Sequence, residues 1–149
     1  MKRARIRAGS DRGSELIELA VVLPILLLVF AAIADFGFLF QRYEVVTNAA
    51  REGARIAVLP GYAAQADTNV HDRVQNYLTT SGLSETTWTS SVTYQSETVG
   101  ALTVQTARVT VVYPSRFMFI GGFAGFFSGG GWGTMNLRSV STMRVEGGS

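Results

Sequence analysis

The chain has 149 residues, of which 47% are hydrophobic and only 16% are charged, and it contains no cysteine. Charged residues make up about 25% of an ordinary soluble domain, so this composition favours contact with a membrane. The lack of cysteine excludes disulfides and thiolate metal sites. A single histidine, His71, excludes a metal site built from several histidines. We therefore predict no metal, no other cofactor and no enzymatic activity.

The positive charge of the chain lies in a short N-terminal arm. Five basic residues and one acid give residues 1–13 a charge of +4, whereas residues 14–149, with eight basic and ten acidic residues, carry −2. No aromatic residue is interleaved with the basic ones, and apolar residues follow at once. We therefore predict no binding to nucleic acid.

An apolar stretch follows the arm, LIELAVVLPILLLVFAAIADFGFLF at residues 16–40, and its two acids are Glu18 and Asp35. As a helix it would rise about 37 Å, enough to cross a ~30 Å hydrocarbon core. The basic arm would stay in the cytoplasm by the positive-inside rule. We predict a basic cytoplasmic leader at 1–13, a transmembrane helix at 14–40 and an extracytoplasmic head at 41–149. Asp35 is interpreted as a residue of the outer membrane boundary rather than as a partner site.

A cleaved secretory signal is the alternative interpretation of the same stretch. Ala32, Ile33 and Ala34 supply a small-x-small cleavage site, with the cut before Asp35. The apolar residues that continue past this point, such as Phe36 and Phe38, favour an uncleaved anchor at this site.

Glu18 stands one turn inside the apolar stretch, where a carboxylate is costly if it enters the bilayer. It could remain wet, marking the cytoplasmic interface together with Glu15. Alternatively it could serve a processed product, since Gly13 and Ser14 precede it. A cut between these two residues would make Ser14 the first residue and Glu18 the fifth.

A glycine, a glutamate at the fifth place after it and an apolar helix with an early proline resemble the class III signal of type IV pilins. The run RGSELIELAVVLPILLLVFAAIADFGFLFQRYEVVTNAAREGARIAVL, residues 12–59, further resembles the N-terminal half of TadE-like proteins, pseudopilins of the tight-adherence (Flp) pilus system. A weaker similarity lies at residues 141–146. The chain departs from many pilins in its longer leader and in Leu19, where those carry an aromatic residue.

The resemblance implies a bacterial inner-membrane protein that a prepilin peptidase cuts between Gly13 and Ser14. It implies that the new α-amino group of Ser14 and the carboxylate of Glu18 pair between adjacent subunits and set their register. Its partners would be the peptidase and other pilins or pseudopilins of the system, in the membrane or in the assembled pilus. An unprocessed single-pass scaffold or binding protein with a periplasmic head is the alternative.

Beyond the membrane, apolar and small residues recur every three or four positions from Phe36 to Ala57, which predicts a helix that continues to about Leu59. This stripe could pack on the protein's own sheet or on neighbouring subunits. A second helix is predicted from Asp67 or Thr68 to Thr79, with Ser81 and Gly82 ending it. His71 would lie on its polar side and is assigned no role.

Alternating residues from Trp88, a clear strand at 102–113 and a last strand at 135–146 predict three antiparallel strands. In the middle strand the apolar positions shift between Val104 and Ala107, which predicts a β-bulge near residues 105–106. The fold class is therefore α+β, with a long N-terminal helix, transmembrane and then amphipathic, packed on a small antiparallel sheet in a pilin-like arrangement.

The segment from 117 to 135, FMFIGGFAGFFSGGGWGTM, is uncharged and rich in glycine and phenylalanine. It could cover the core of the head as a long loop. It could instead present an interaction surface to the outer leaflet or to another pilus component. The aromatic residues of this possible interaction loop are Phe119, Phe123, Phe126, Phe127 and Trp132.

Overall fold

The computed structural model describes residues 11–60, 66–100, 102–122 and 133–145. They form two helices and then three strands: α1 Asp11–Ala57, α2 Ala66–Thr80, β1 Thr89–Val99, β2 Leu102–Arg116 and β3 Thr134–Arg144. The strands make one antiparallel sheet in the order β1-β2-β3. α1 packs on β2 and β3, and α2 packs on β1 and α1. The predicted α+β class, with a long N-terminal helix and a small antiparallel sheet, is confirmed.

α1 runs for 47 residues without interruption and contains Pro24. Its length is about 70 Å at 1.5 Å per residue. The helix ends at Ala57, two residues before the predicted end, and Pro60 follows the final turn. The apolar stretch and the amphipathic stretch are therefore parts of one helix.

The core lies between the C-terminal half of α1, α2 and the sheet. The predicted stripe is buried from Val46 to Ala57, whereas Phe36 and Tyr43 at its start remain exposed. Gly53 marks the closest approach of three elements. A Cβ at this position would lie 2.9 Å from Val74 Cγ2, 3.1 Å from Val70 Cγ1 and 3.3 Å from Val109 Cγ1. Of the two interpretations of the stripe, packing on the protein's own sheet is the one that its second half follows.

The sequence places four residues of α2 on one face. Val70, Val74 and Leu78 are buried, and Tyr77 is partly buried against the same core. The end of α2 matches the prediction. Gly82 takes the left-handed conformation with φ of 83°, and the amide of Leu83 donates to the carbonyl of Leu78 at 2.9 Å. This is the glycine-dependent helix ending in which a left-handed residue lets later amides satisfy the last carbonyls.

The sheet turns one face to the helices and the other to solvent. Ala107, Val109, Val111 and Tyr113 of β2 face the helices and are buried, and the residues between them are more exposed. The predicted β-bulge is wrong, because the β1–β2 register runs without a break from Thr89↔Val112 to Val99↔Leu102. Val104 simply lies on the other face, paired with Glu97 near the end of the hairpin.

A tyrosine joins the end of α1 to the sheet. The Tyr94 hydroxyl donates to the carbonyl of Ala57 at 2.9 Å. Burial raises the pKa of Tyr94, and the negative charge of Asp67 adds to this effect. The hydroxyl therefore stays protonated as the donor that this contact requires.

Candidate functional site

The first half of α1 presents its apolar side chains outward. Every large apolar residue from Leu16 to Ile33 is at least 41% exposed. An 18-residue window of the helix has a mean hydropathy of 2.9 and no buried residue. Of the helices in the described ranges, α1 alone is long and apolar enough to cross a membrane. This half of the helix fits the anchor of a membrane-bound protein.

The predicted cleavage and register residues lie in the first two turns of α1. Ser14 and Glu18 are four residues apart and so share one face of the helix. The side chains of both are exposed. A Cβ at Gly13 would meet no atom of another described element within 4 Å. The geometry leaves the Gly13–Ser14 junction and Glu18 open to partners, and their roles stay predictions.

Asp35 is buried, with 3% of its surface exposed, and its carboxylate accepts hydrogen bonds from three successive backbone amides. Met118 N donates to Oδ1 at 2.8 Å and Ile120 N donates to Oδ2 at 2.7 Å. Phe119 N lies at 3.1 Å from Oδ1 and 3.0 Å from Oδ2. The carboxylate of Asp35 thus holds the segment that follows β2, a contact that its interpretation as a membrane-boundary residue did not include. The position of Asp35 at the outer membrane boundary stays a prediction.

Arg42 makes a second connection between α1 and the end of β2. Its Nη1 donates to Ser115 Oγ at 2.9 Å and to the carbonyl of Arg116 at 3.0 Å. Arg42 stands seven residues after Asp35, two turns along the same helix face. Phe36 and Phe117 stack edge to face beside these contacts, with ring centroids 6.4 Å apart. The end of β2 is thus fastened to α1 over two turns.

The segment held by Asp35 lies against the exposed apolar N-terminal half of α1. Phe119 and Ile120 face one wall of the helix across an apolar cavity of about 400 Å³. The helix side of this cavity is formed by Leu23, Pro24, Leu27, Leu28 and Ala31. The chain therefore returns from the sheet to the exposed apolar surface of its own N-terminal helix.

Phe119 is the one member of the predicted interaction loop within the described ranges, and 49% of its surface is exposed. Met118 beside it is 64% exposed. Phe123, Phe126, Phe127 and Trp132 lie outside the described residues. The described beginning of the loop thus exposes apolar side chains instead of covering the core of the head.

A smaller apolar depression, of about 230 Å³, lies where α1 meets β3. Leu39, Phe40, Tyr43 and Leu137 line it. Two of these residues, Phe40 and Tyr43, are exposed. This depression and the exposed start of the α1 stripe leave an apolar surface at the level where the head begins.

His71 joins α2 to β1. Its ring stacks on Trp88 at 4.4 Å between centroids, and its Nδ1 lies 3.2 Å from Ser90 Oγ. Asp67, Thr68, His71 and Ser90 line a shallow polar depression. In the ranges that the structure describes, no group of three His, Cys, Asp or Glu side chains is placed to hold a metal ion. The histidine contacts have a packing role that the sequence did not reveal.

Asp35 and Arg42 are the two functional candidates that the sequence analysis missed. A signal was present for Asp35, because an acid in an apolar helix needs either water or hydrogen-bond donors. Its donors, however, are backbone amides more than eighty residues later in the chain. Backbone amides leave no mark in a sequence, so their position emerges only with the fold.

The comparisons with known proteins agree with the geometry of α1. A family model described as TadE-like protein matches residues 13–55. No curated protein and no solved structure matches the chain. The match begins at the predicted cleavage residue and ends within the last turn of α1, and the weaker similarity at residues 141–146 lies outside it. Residues 13–55 are thus a TadE-like segment, and the chain is consistent with a TadE-like protein of the tight-adherence pilus system.

Proposed function

We propose that this protein is a membrane-anchored pseudopilin that acts in the assembly of a tight-adherence pilus. The observation that carries the proposal is that the TadE-like match covers one uninterrupted helix, which contains Gly13, Ser14 and Glu18. A helix that starts in the membrane and continues into a small α+β head can pack against neighbouring subunits at both levels. In this proposal the N-terminus is cytoplasmic, as the positive-inside rule requires, and the head is extracytoplasmic.

Maturation would begin with a prepilin peptidase that cuts between Gly13 and Ser14. The cut removes the +4 leader, and with it the charged residues that hold the N-terminus in the cytoplasm. Ser14 then carries the α-amino group. No other described element crowds Gly13, and the exposure of Ser14 and Glu18 leaves this part of the helix accessible to an enzyme.

Glu18 would then set the position of each subunit on the next. Its carboxylate and the α-amino group of a neighbouring Ser14 are each unfavourable when left alone in hydrocarbon. Pairing them removes this penalty only at one stagger of the two helices. Fixing register is the best-attested use of a buried ion pair.

Processing is tested by the intact mass of the protein extracted from membranes of its native host. We expect an N-terminus at Ser14 that reverts to Met1 when the prepilin peptidase gene is deleted. A start at Met1 in the wild-type host would contradict processing and support the unprocessed scaffold. A start at Asp35 would support a cleaved secretory signal.

The register role is tested by Glu18→Ala, with Glu15→Ala as the matched control on the same edge of the helix. We expect Glu18→Ala to leave synthesis and membrane insertion intact and to remove most of the pilus material recovered by shearing. Losing one partner of a buried pair costs about 3–5 kcal/mol, whereas Glu15→Ala should have little effect. Equal and small effects of the two changes would instead mean that both acids merely mark the cytoplasmic interface.

A further inference from the structure

The segment from Phe117 to Gly122 combines satisfied backbone amides at its first four residues with exposed apolar side chains. Phe117 N donates to the carbonyl of Gly133 at 2.8 Å, and the next three amides donate to Asp35. Met118 is nevertheless 64% exposed and Phe119 is 49% exposed. In a loop exposed to water, water could satisfy these amides. Irregular backbone near a bilayer needs acceptors within the protein, because water is not present there to accept hydrogen bonds.

The position of this segment along α1 gives its depth. The twenty residues from Leu16 to Asp35 rise about 30 Å as a helix, which is the thickness of the hydrocarbon core. Asp35 then lies at the outer boundary. The helix side of the cavity, Leu23 to Ala31, lies roughly 6–18 Å deeper than Asp35 by the same helical rise. Phe119 and Ile120, which form the other side, therefore face the outer leaflet.

The charges beside the segment fit the same boundary. Arg116 is exposed and directly precedes the segment. Arg42, two turns beyond Asp35 on α1, donates to the carbonyl of Arg116. Residues 117–135 contain no charged residue. Basic side chains at the edge of an uncharged apolar segment suit phospholipid headgroups above and acyl chains below.

We propose that residues 117–122 are a second membrane contact, inserted into the outer leaflet beside α1. Lipid acyl chains fill the cavity between Phe119, Ile120 and the helix, and Asp35 is the residue that holds the segment at this depth. The proposal builds on the anchoring role of α1 in the proposed function. The protein then contacts the membrane at two places, which restricts how far the helix and head together can tilt on the bilayer.

The test uses the full chain, which has no cysteine of its own, in nanodiscs of phosphatidylethanolamine and phosphatidylglycerol with one protein in each disc. An environment-sensitive fluorophore is attached through Met118→Cys, and nitroxide-labelled lipids quench it from known depths. Val29→Cys is the control within the membrane helix. Thr98→Cys is the control in the β1–β2 hairpin. Its partner Thr103 lies thirteen residues before Arg116 in β2, which is a rise of about 43 Å.

We expect several-fold stronger quenching by shallow acyl nitroxides at Met118→Cys than at Thr98→Cys, and protection from iodide in the water phase. Adding Phe119→Ser and Ile120→Ser, which leave the Asp35 contacts in place, should remove this difference while Val29→Cys remains quenched. Iodide access at Met118→Cys equal to that at Thr98→Cys overturns the proposal. Protection that appears only with two copies in a disc also overturns it, in favour of a neighbouring helix as the occupant. If Val29→Cys is also unquenched, the anchor itself fails.

Discussion

Gly53→Leu is expected to lower the free energy of unfolding of the head by about 3 kcal/mol or more. Overpacking a dense core costs typically about 1–3 kcal/mol and sometimes exceeds this. Here even a Cβ comes within 3.3 Å of three valine methyl groups, from Val70, Val74 and Val109. These methyls belong to two different elements, so no single rotamer change makes room for a leucine. The measurement is denaturant unfolding in detergent, followed by near-ultraviolet circular dichroism.

Gly37 provides the control for this substitution. It lies in the same helix, and a Cβ built on it meets no atom within 4 Å. Gly37→Leu should therefore keep or slightly raise stability, because leucine is a better helix former than glycine by up to about 1 kcal/mol. Equal unfolding midpoints for the two variants would contradict the close approach of α1, α2 and β2 at Gly53.

Asp35→Ala is expected to release the segment after β2 and to cost roughly 3 kcal/mol. Hydrogen bonds to a charged group contribute about 1.5–3 kcal/mol each, and three backbone amides depend on this carboxylate. The net loss is smaller than their sum, because removing the carboxylate also removes the cost of burying its charge. Asp35→Asn should have an intermediate effect, because one amide oxygen still accepts while the amino group cannot. Hydrogen exchange of the Met118, Phe119 and Ile120 amides is the direct measurement, with unfolding free energy beside it.

Glu44→Gln is the matched control, since Glu44 is an exposed acid of the same helix. It should leave the exchange of the three amides unchanged. Faster exchange confined to residues 118–120 in Asp35→Ala is the expected result. Unaltered protection of these amides would mean that other contacts hold the segment and that Asp35 is dispensable.

Local patterns were enough to predict the helices and the three strands. The 3.6-residue period predicted α2 and its ending at Gly82, and the alternation of Trp88, Ser90 and Val92 predicted β1. The β-bulge was wrong for a physical reason. Predicting a bulge from the alternation of apolar residues assumes that every apolar residue of the strand faces the core. Val104, however, lies near the hairpin turn, beyond the part of the sheet that the helices cover. Because no core lies beneath this part of the sheet, burial does not favour one face over the other for the Val104 side chain.

The candidate site was only partly predictable. Gly13, Ser14 and Glu18 are recognised by their order along the chain, so the sequence was sufficient to propose them. The contacts of Asp35 and Arg42 join α1 to residues more than seventy positions away. Such contacts depend on where β2 ends relative to the helix. The periodicity of apolar residues predicts helices and strands but not the distance between them. The exposure of Met118 and Phe119 followed only from this placement.

The uninterrupted course of α1 has a mechanical consequence. Because no linker separates its membrane half from the half that packs under the sheet, the helix acts as a stiff rod. A pull along the axis of the N-terminal half is transmitted to the sheet, and a twist about that axis turns the sheet with it. A machine that grips the N-terminal end can therefore lift and rotate the whole head together with the helix.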